Sequence, residues 1–147
     1  MNILMITHAY YSEYSGAATQ CHTLSKKLIK NNCQINVVTF TNDKHLPSHE
    51  WIDGIDVRRI HVNKKGFSGF VTALKLLFVL VKEIRELKII HFHGFNNHLL
   101  WVVWFGSIFR KKVIMKISML QFDNPEVMMN SGFFHRIAYQ HLDRIIA

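Results

Sequence analysis

Short apolar runs alternate with helical and polar stretches along this chain, and that rhythm predicts its elements. Residues 2–7 are an uncharged apolar run, and Ala18, Cys21, Leu24, Leu28 and Ile29 then recur at helical spacing, which predicts a buried strand feeding a helix. Lys26, Lys27 and Lys30 crowd the last turn of that helix, where its dipole favours cations, and Asn31-Asn32 ends it. Residues 34–40, rich in β-branched side chains, predict a second strand. Strand, helix, strand implies a right-handed parallel unit.

Residues 42–53 are polar, contain Pro47 and have no period, so they read as a loop anchored by Trp51. After the Asp53-Gly54 turn, residues 55–62 alternate partly and predict a third strand, with Arg58 and Arg59 facing outward at an edge. A long apolar segment spans residues 67–87, its polar residues Ser68, Thr72, Lys75, Lys82 and Glu86 forming one narrow stripe. Its apolar core is too short to span a bilayer and carries Lys75. A helix buried on most sides against a sheet is the favoured reading, and a helix lying in a membrane surface the alternative.

Residues 88–93 predict a fourth strand, and Gly94 marks the loop at its carboxyl end, where open parallel sheets bind ligands. Alternation puts His91 and His93 on one face of it, opposite Phe92. Two such histidines can share a metal, but no third ligand at a recognisable spacing follows. One structural histidine and one reaching substrate is the better reading. Residues 96–109 predict a second strongly apolar helix and residues 113–117 a fifth strand interrupted by Lys116. That lysine needs a carboxylate or phosphate partner, and Asp123 in the loop of residues 118–130 is either that structural partner or a ligand contact. Residues 133–142 read as a helix, and residues 143–147 begin another strand.

Composition narrows this picture. A chain of 147 residues with 49% apolar content is one domain able to bury a core, which excludes disorder. Cys21 and Cys33 lack a C-x-x-C partner and are poorly placed to pair, fitting a reducing cytoplasmic compartment. No signal-peptide pattern opens the chain. The formal charge of +8 predicts attraction to phosphates, nucleic acids or anionic lipid. Nucleic acid is disfavoured, because the aromatic residues are embedded in apolar runs rather than interleaved with Lys and Arg.

Candidate chemistry concentrates in the first loop, residues 8–16. Gly16, Ala17 and Ala18 bring only small side chains to the helix start, so backbone N–H groups there can approach a phosphate or sugar hydroxyl. The alternative is that Gly16 only lets the loop turn and the tyrosines cap the sheet edge. With one glycine and three tyrosines the loop is no dinucleotide fingerprint.

In order and spacing, Asn2-Ile-Leu-Met-Ile6 with Tyr10-Tyr-Ser-Glu-Tyr-Ser-Gly16, Leu24-Ser-Lys-Lys-Leu28 and Val37-Val-Thr39 are followed by Asp53-Gly-Ile-Asp-Val57 and Ile89-Ile-His-Phe-His-Gly94. Lys112-Val-Ile-Met-Lys-Ile117 and Leu142-Asp-Arg-Ile-Ile-Ala147 complete the series. Together they resemble the N-terminal domain of GT-B glycosyltransferases of the family 4 type, over nearly the whole chain. The resemblance implies an α/β fold, a Rossmann-like parallel sheet flanked by helices that forms one half of a GT-B architecture. Residues 1–147 would be the acceptor-binding domain, and the C-terminal donor-binding domain would be absent.

The implied activity is retaining transfer from a nucleotide-diphosphate sugar, a co-substrate rather than a bound cofactor, to a sugar or lipid-linked glycan of the cell surface. Ser15, Gly16 and Ala17 would lie near donor phosphates or acceptor, with His93 and Gly94 lining the cleft and His93 the candidate catalytic residue. Lys116, Ser118 and Asp123 would line the adjacent loop. Two departures from the family stand out: Ser15 replaces the first of paired glycines, and Ser118 stands where many members have a histidine. Without the second domain little transfer is expected, since positioning supplies much of the rate. The competing expectation is a non-catalytic truncated paralogue that binds a sugar, a partner transferase or the inner face of the cell membrane.

Overall fold

A computed structural model describes residues 1–11, 13, 15–62, 68–94, 98–117, 130 and 132–146. In chain order the elements are β1 (Asn2–Thr7), α1 (Gly16–Lys30), β2 (Gln34–Thr41), β3 (His49–Ile52), β4 (Ile55–His61) and α2 (Ser68–Glu83). They continue with β5 (Leu87–His93), α3 (Leu99–Ile108), β6 (Lys112–Lys116), α4 (Phe133–Gln140) and β7 (Arg144–Ile146). The strands form one sheet in the order β3-β4-β2-β1-β5-β6-β7, parallel except for the β3–β4 pair. This is the expected Rossmann-like α/β architecture.

Alternation along the central strands builds two apolar layers. Ile3, Met5, Ile35 and Val37 face Cys21 of α1 and the buried Tyr10. Leu4, Ile6, Ile90 and Phe92 face the other way, onto Leu76 and Leu80 of α2, Val102 and Phe105 of α3 and Ala138 of α4. Helix α1 turns Ala18, Cys21, His22 and Ser25 inward, an i, i+3, i+4, i+7 stripe. Its carboxyl end closes in a Schellman turn: Asn32, at φ 60°, donates to the Ile29 carbonyl and Cys33 to that of Leu28. At the far edge Asp143 fixes β7 to β6, accepting the Val113 N–H and the Lys112 ammonium at 2.8 Å each.

Several sequence expectations need correction. Residues 49–52 are strand, not loop: β3 pairs with β4 through a two-residue turn in which Asp53 (φ 50°) and Gly54 (φ 79°) both adopt left-handed backbone. Trp51 anchors nothing in the core, being 67% exposed on that edge strand. Because β3 takes the edge, β4 is internal, and Arg59 points inward rather than out. Its guanidinium is 0% exposed, paired with Glu50 and donating to the carbonyl of Tyr11 at 3.1 Å. Helix α2 is not buried on most sides: Phe70, Val71, Leu74, Phe78 and Val81 are exposed, whereas Thr72 of the supposed polar stripe is buried.

Helix α3 crosses tightly over β6 at Gly106. A β-carbon there would collide with the Val113 side chain and lie 3.2 Å from the Lys111 carbonyl oxygen. Gly106→Leu is therefore expected to lower unfolding stability by about 3 kcal/mol through overpacking. Gly106→Ala costs less, since alanine recovers about 1 kcal/mol of helix propensity. Urea denaturation reads both, and a Leu variant with an unchanged midpoint would mean that the two elements are not in close contact.

Candidate functional site

The carboxyl ends of the four middle strands carry a polar row where the rows below are mostly apolar. Backbone register aligns Thr39 of β2 with Thr7 of β1, Thr7 with His93 of β5, and His93 with Lys116 of β6. Strand alternation puts all four on the α1 side of the sheet, since their even-numbered or odd-numbered neighbours on the opposite face (Ile6, Val38, Phe92, Met115) pack toward α2 and α3. Lys116 reaches across to α1 and donates to the Gln20 side chain at 2.8 Å. Its partner among the described residues is thus a neutral amide rather than the carboxylate or phosphate expected, and its ammonium keeps a full charge to offer a ligand.

His93 is 2% exposed, and its ring lies 4.4 Å from that of His91, centroid to centroid. Neither nitrogen of His93, nor Nε2 of His91, nor the Thr39 hydroxyl has a hydrogen-bond partner among the described residues. Burial is the main force that pushes His93 down to about 3 and His91 down to about 4, with the Lys116 charge adding to both and His91 itself adding to His93. Both imidazoles are therefore neutral at physiological pH. So weak a base is poorly matched to proton transfer near neutrality, and His93 is better suited to exchange hydrogen bonds with a hydroxyl or phosphoryl oxygen.

Gly94 turns the chain away directly after this row. At φ 80° it occupies the left-handed region that favours glycine, and its N–H donates to the Lys116 carbonyl at 2.9 Å. His93, Gly94 and Lys116 thus stand side by side at the ends of β5 and β6. Ser15 is the N-cap of α1, its hydroxyl accepting the Ala18 N–H at 3.0 Å from an extended backbone (φ −146°) that needs no glycine. With Ala18 satisfied, the N–H groups of Gly16 and Ala17 are, among the described residues, the helix-end donors left for a ligand. Gly16 has open space where a β-carbon would go, so the fold itself does not demand its small size. Ser118 and Asp123 lie outside the described residues.

Two further groupings escaped sequence reasoning. Tyr10 is buried and bonded to His22 Nδ1 at 2.8 Å, while His22 Nε2 lies 3.2 Å from Asp53. A carboxylate only accepts, so Nε2 donates its proton toward Asp53 while Nδ1 shares the hydrogen bond with the tyrosine hydroxyl. Burial raises the Tyr10 hydroxyl well above its usual value, and the hydrogen bond from Lys26 leads the interactions that hold Asp53 below its own. This chain ties the first loop to α1 and to the β3–β4 turn rather than presenting a nucleophile, since Tyr10 is 0% exposed.

The second grouping is a cavity of about 350 Å³ over the ends of β1 and β2, whose lining includes His8, Glu13, Phe40, Thr41, Asn42 and His98. Glu13 accepts from Thr41 at 2.9 Å through one oxygen, and its other oxygen is buried without a donor among the described residues. Phe40 and His98 stack at 4.9 Å, offering a flat wall. A carboxylate oxygen free to accept beside a flat ring suits a ligand rich in hydroxyls. In sequence, only the placement of Glu13 in the first loop hinted at it.

No protein-family model and no curated protein sequence matches the chain. Solved structures do match. A sucrose-phosphate synthase from Thermosynechococcus elongatus aligns with 98% of this chain and 41% of its own, at 12% identity and a TM-score of 0.62. The UDP-GlcNAc 2-epimerase of Methanocaldococcus jannaschii aligns with 100% of this chain and 39% of its own, at 14% identity and a TM-score of 0.66. MurG of Acinetobacter baumannii aligns with 99% of this chain and 41% of its own, at 13% identity and a TM-score of 0.57. The chain spans about two-fifths of the length of each, and at these identities the likeness is one of fold: a Rossmann-like half of the GT-B type.

Proposed function

We propose that the chain is the acceptor-binding half of a glycosyltransferase that moves a sugar from a nucleotide-diphosphate sugar to a cell-surface or lipid-linked glycan. The observation that carries this reading is the row Thr39, Thr7, His93 and Lys116 along the carboxyl ends of adjacent strands. It lies where open parallel sheets bind ligands, and it combines one cation with neutral groups that still have hydrogen bonds to make. The fold likeness supports it, since a sucrose-phosphate synthase and a UDP-GlcNAc epimerase both handle sugars by name. In this reading Lys116 and the Gly16 and Ala17 N–H groups meet phosphate or acceptor oxygens, His93 orients a hydroxyl, and Glu13 accepts from the acceptor. The protein works at the cytoplasmic face, with which its free Cys21 and Cys33 accord.

Transfer itself requires a second domain to hold the donor, because a half-cleft cannot fix two substrates in reactive geometry. In a form carrying that domain, Lys116→Met is expected to lower kcat/KM by roughly tenfold to a hundredfold, the worth of a charge-assisted hydrogen bond. A Lys116→Met enzyme as fast as the unaltered one would remove the row from the site. A non-catalytic binding module is the second reading, favoured by the broad apolar face on α2, α3 and α4. A two-domain form inert toward a wide panel of donors and acceptors would select it.

A further inference from the structure

The helices on the side of the sheet away from α1 leave a large apolar surface uncovered. Between α2, α3 and α4 runs a groove of about 940 Å³ whose lining includes Leu77, Val81, Trp104, Phe105, Phe133 and Phe134. Much of that lining is open to solvent, with Phe133 72% exposed and Trp101, Ile108 and Phe109 also exposed, and Phe78 elsewhere on α2 is 61% exposed. These side chains come from three separate elements, so their exposure is a property of one face rather than of a frayed end.

Among the described residues the three helices of this face are poor in acids. Helix α3 with the turn to β6, and α4 through Leu142, contain no Asp or Glu. The one acid of α2, Glu83, is at its carboxyl end and paired with Arg58 at 2.8 Å. Against that, α2 carries Lys75 and Lys82, α4 carries Arg136, and Arg110 and Lys111 follow directly on Ile108 and Phe109 of the groove lining. Lys82 lies over the Phe78 ring at 4.4 Å, its stem against apolar surface and its charge outward. At the end of α3, directly after Phe109, a cleft of about 390 Å³ has Arg110, Lys111, Lys112 and Asp143 in its lining. Lys112 is neutralised by Asp143, and neither Arg110 nor Lys111 forms an ion pair among the described residues.

Among the described residues no helix is long and apolar enough to cross a membrane. Exposed Trp and Phe beside Arg110 and Lys111, with no acid between them among the described residues, complement a surface that is apolar beneath a layer of negative charge. We propose that the α2–α3–α4 face docks on an anionic lipid bilayer, with Trp101, Trp104, Phe133 and Phe134 entering the acyl boundary and Arg110 and Lys111 meeting lipid phosphates. This docking stands apart from the sugar-transfer reading: it uses the opposite side of the sheet from the His93 row and holds whether or not the chain is part of an enzyme.

Co-sedimentation of the 147-residue chain with vesicles tests it. Vesicles of phosphatidylcholine with about one-third phosphatidylglycerol should pellet the chain at least tenfold more effectively than pure phosphatidylcholine, and 0.5 M salt should weaken the binding. Arg110→Glu with Lys111→Glu should cut binding roughly thirtyfold, from about fivefold per cation. Trp104→Ser with Phe133→Ser should cut it tenfold or more; both positions are exposed, and circular dichroism verifies the fold. Equal binding to both vesicle types, or unchanged binding by either double variant, overturns the proposal. Light scattering that shows a dimer dispersed by the Trp104 and Phe133 changes, with no lipid binding, assigns the face to a second copy. A longer form that loses vesicle binding while this chain keeps it assigns the face to another part of the protein.

Discussion

Acidification from pH 7 to pH 4.5 is expected to destabilise this fold by roughly 5 kcal/mol, a large fraction of the 5–15 kcal/mol that holds a typical domain together. The cause is the buried pair His91 and His93, held mainly by burial at about 4 and about 3. In the unfolded chain both imidazoles take up a proton near pH 6.5, whereas in the folded chain they stay neutral until the pH is far lower. Below pH 6.5 the unfolded state therefore binds more protons, and stability falls by about 1.4 kcal/mol per pH unit for each group. The stabilisation is complete above pH 6.5 and is lost as the pH drops toward 4.

Lys116 adds repulsion to any charge formed on that row, and the depressed His98 acts in the same direction. Asp53 and Asp143, whose carboxyls are held low by Lys26 and Lys112, contribute only at more acid pH. Urea midpoints at pH 7.5, 6 and 5 measure the effect. Replacing both histidines, His91→Gln with His93→Asn, should flatten the slope over that range. A midpoint that does not move between pH 7.5 and 5, or a slope indifferent to the double replacement, would mean that the pair is not buried as described.

Removal of the Arg59 guanidinium should produce the second large effect. Its side chain is wholly buried between β3 and the first loop, pairing with Glu50 and donating to the carbonyls of Tyr11 and Pro47 at 3.1 and 3.4 Å. Arg59→Met keeps much of the volume but strands those acceptors. The expected loss is about 3 kcal/mol, at the lower end for a broken buried pair because Glu50 remains partly in water. The same change should free the loop that carries Tyr10, Tyr11 and Glu13, so backbone amides of residues 9–13 should exchange hydrogen faster than those of β1. Unaltered stability together with unaltered exchange would show that Arg59 does not hold the loop.

Arg59 also illustrates what the sequence could and could not reveal. Strands β1, β2, β5 and β6 are legible because a buried parallel strand must be a short apolar run. His49, Glu50, Trp51 and Ile52 make no such run, because an edge strand on a two-residue turn buries little and needs only backbone pairing. Missing β3 made β4 seem the edge and turned Arg59 outward, so one unseen strand caused both errors. In α2 the period was legible but the number of buried faces was not: an apolar stripe toward the sheet and a second toward solvent read in sequence as one continuously apolar helix.

At the site, His93 and Gly94 were legible from their place at the end of an apolar run. Thr7 and Thr39 were not, since they join His93 and Lys116 only through the register of neighbouring strands. Register is a property of pairing and is written in no single segment. The Glu13 cavity was hidden for a similar reason, being assembled from the first loop, the end of β2 and the start of α3.

Transfer of labelled sugar tests the central claim most directly. The native polypeptide from its source cells, or this chain joined to a complementary donor-binding domain, is assayed against a broad panel of nucleotide sugars and glycan acceptors beside the 147-residue chain alone. Transfer by the two-domain form, with the isolated chain at least about a thousandfold slower for want of positioning, is the predicted result. A complete two-domain form that moves no sugar to any acceptor, or an isolated chain that transfers as fast as the complete form, would contradict it.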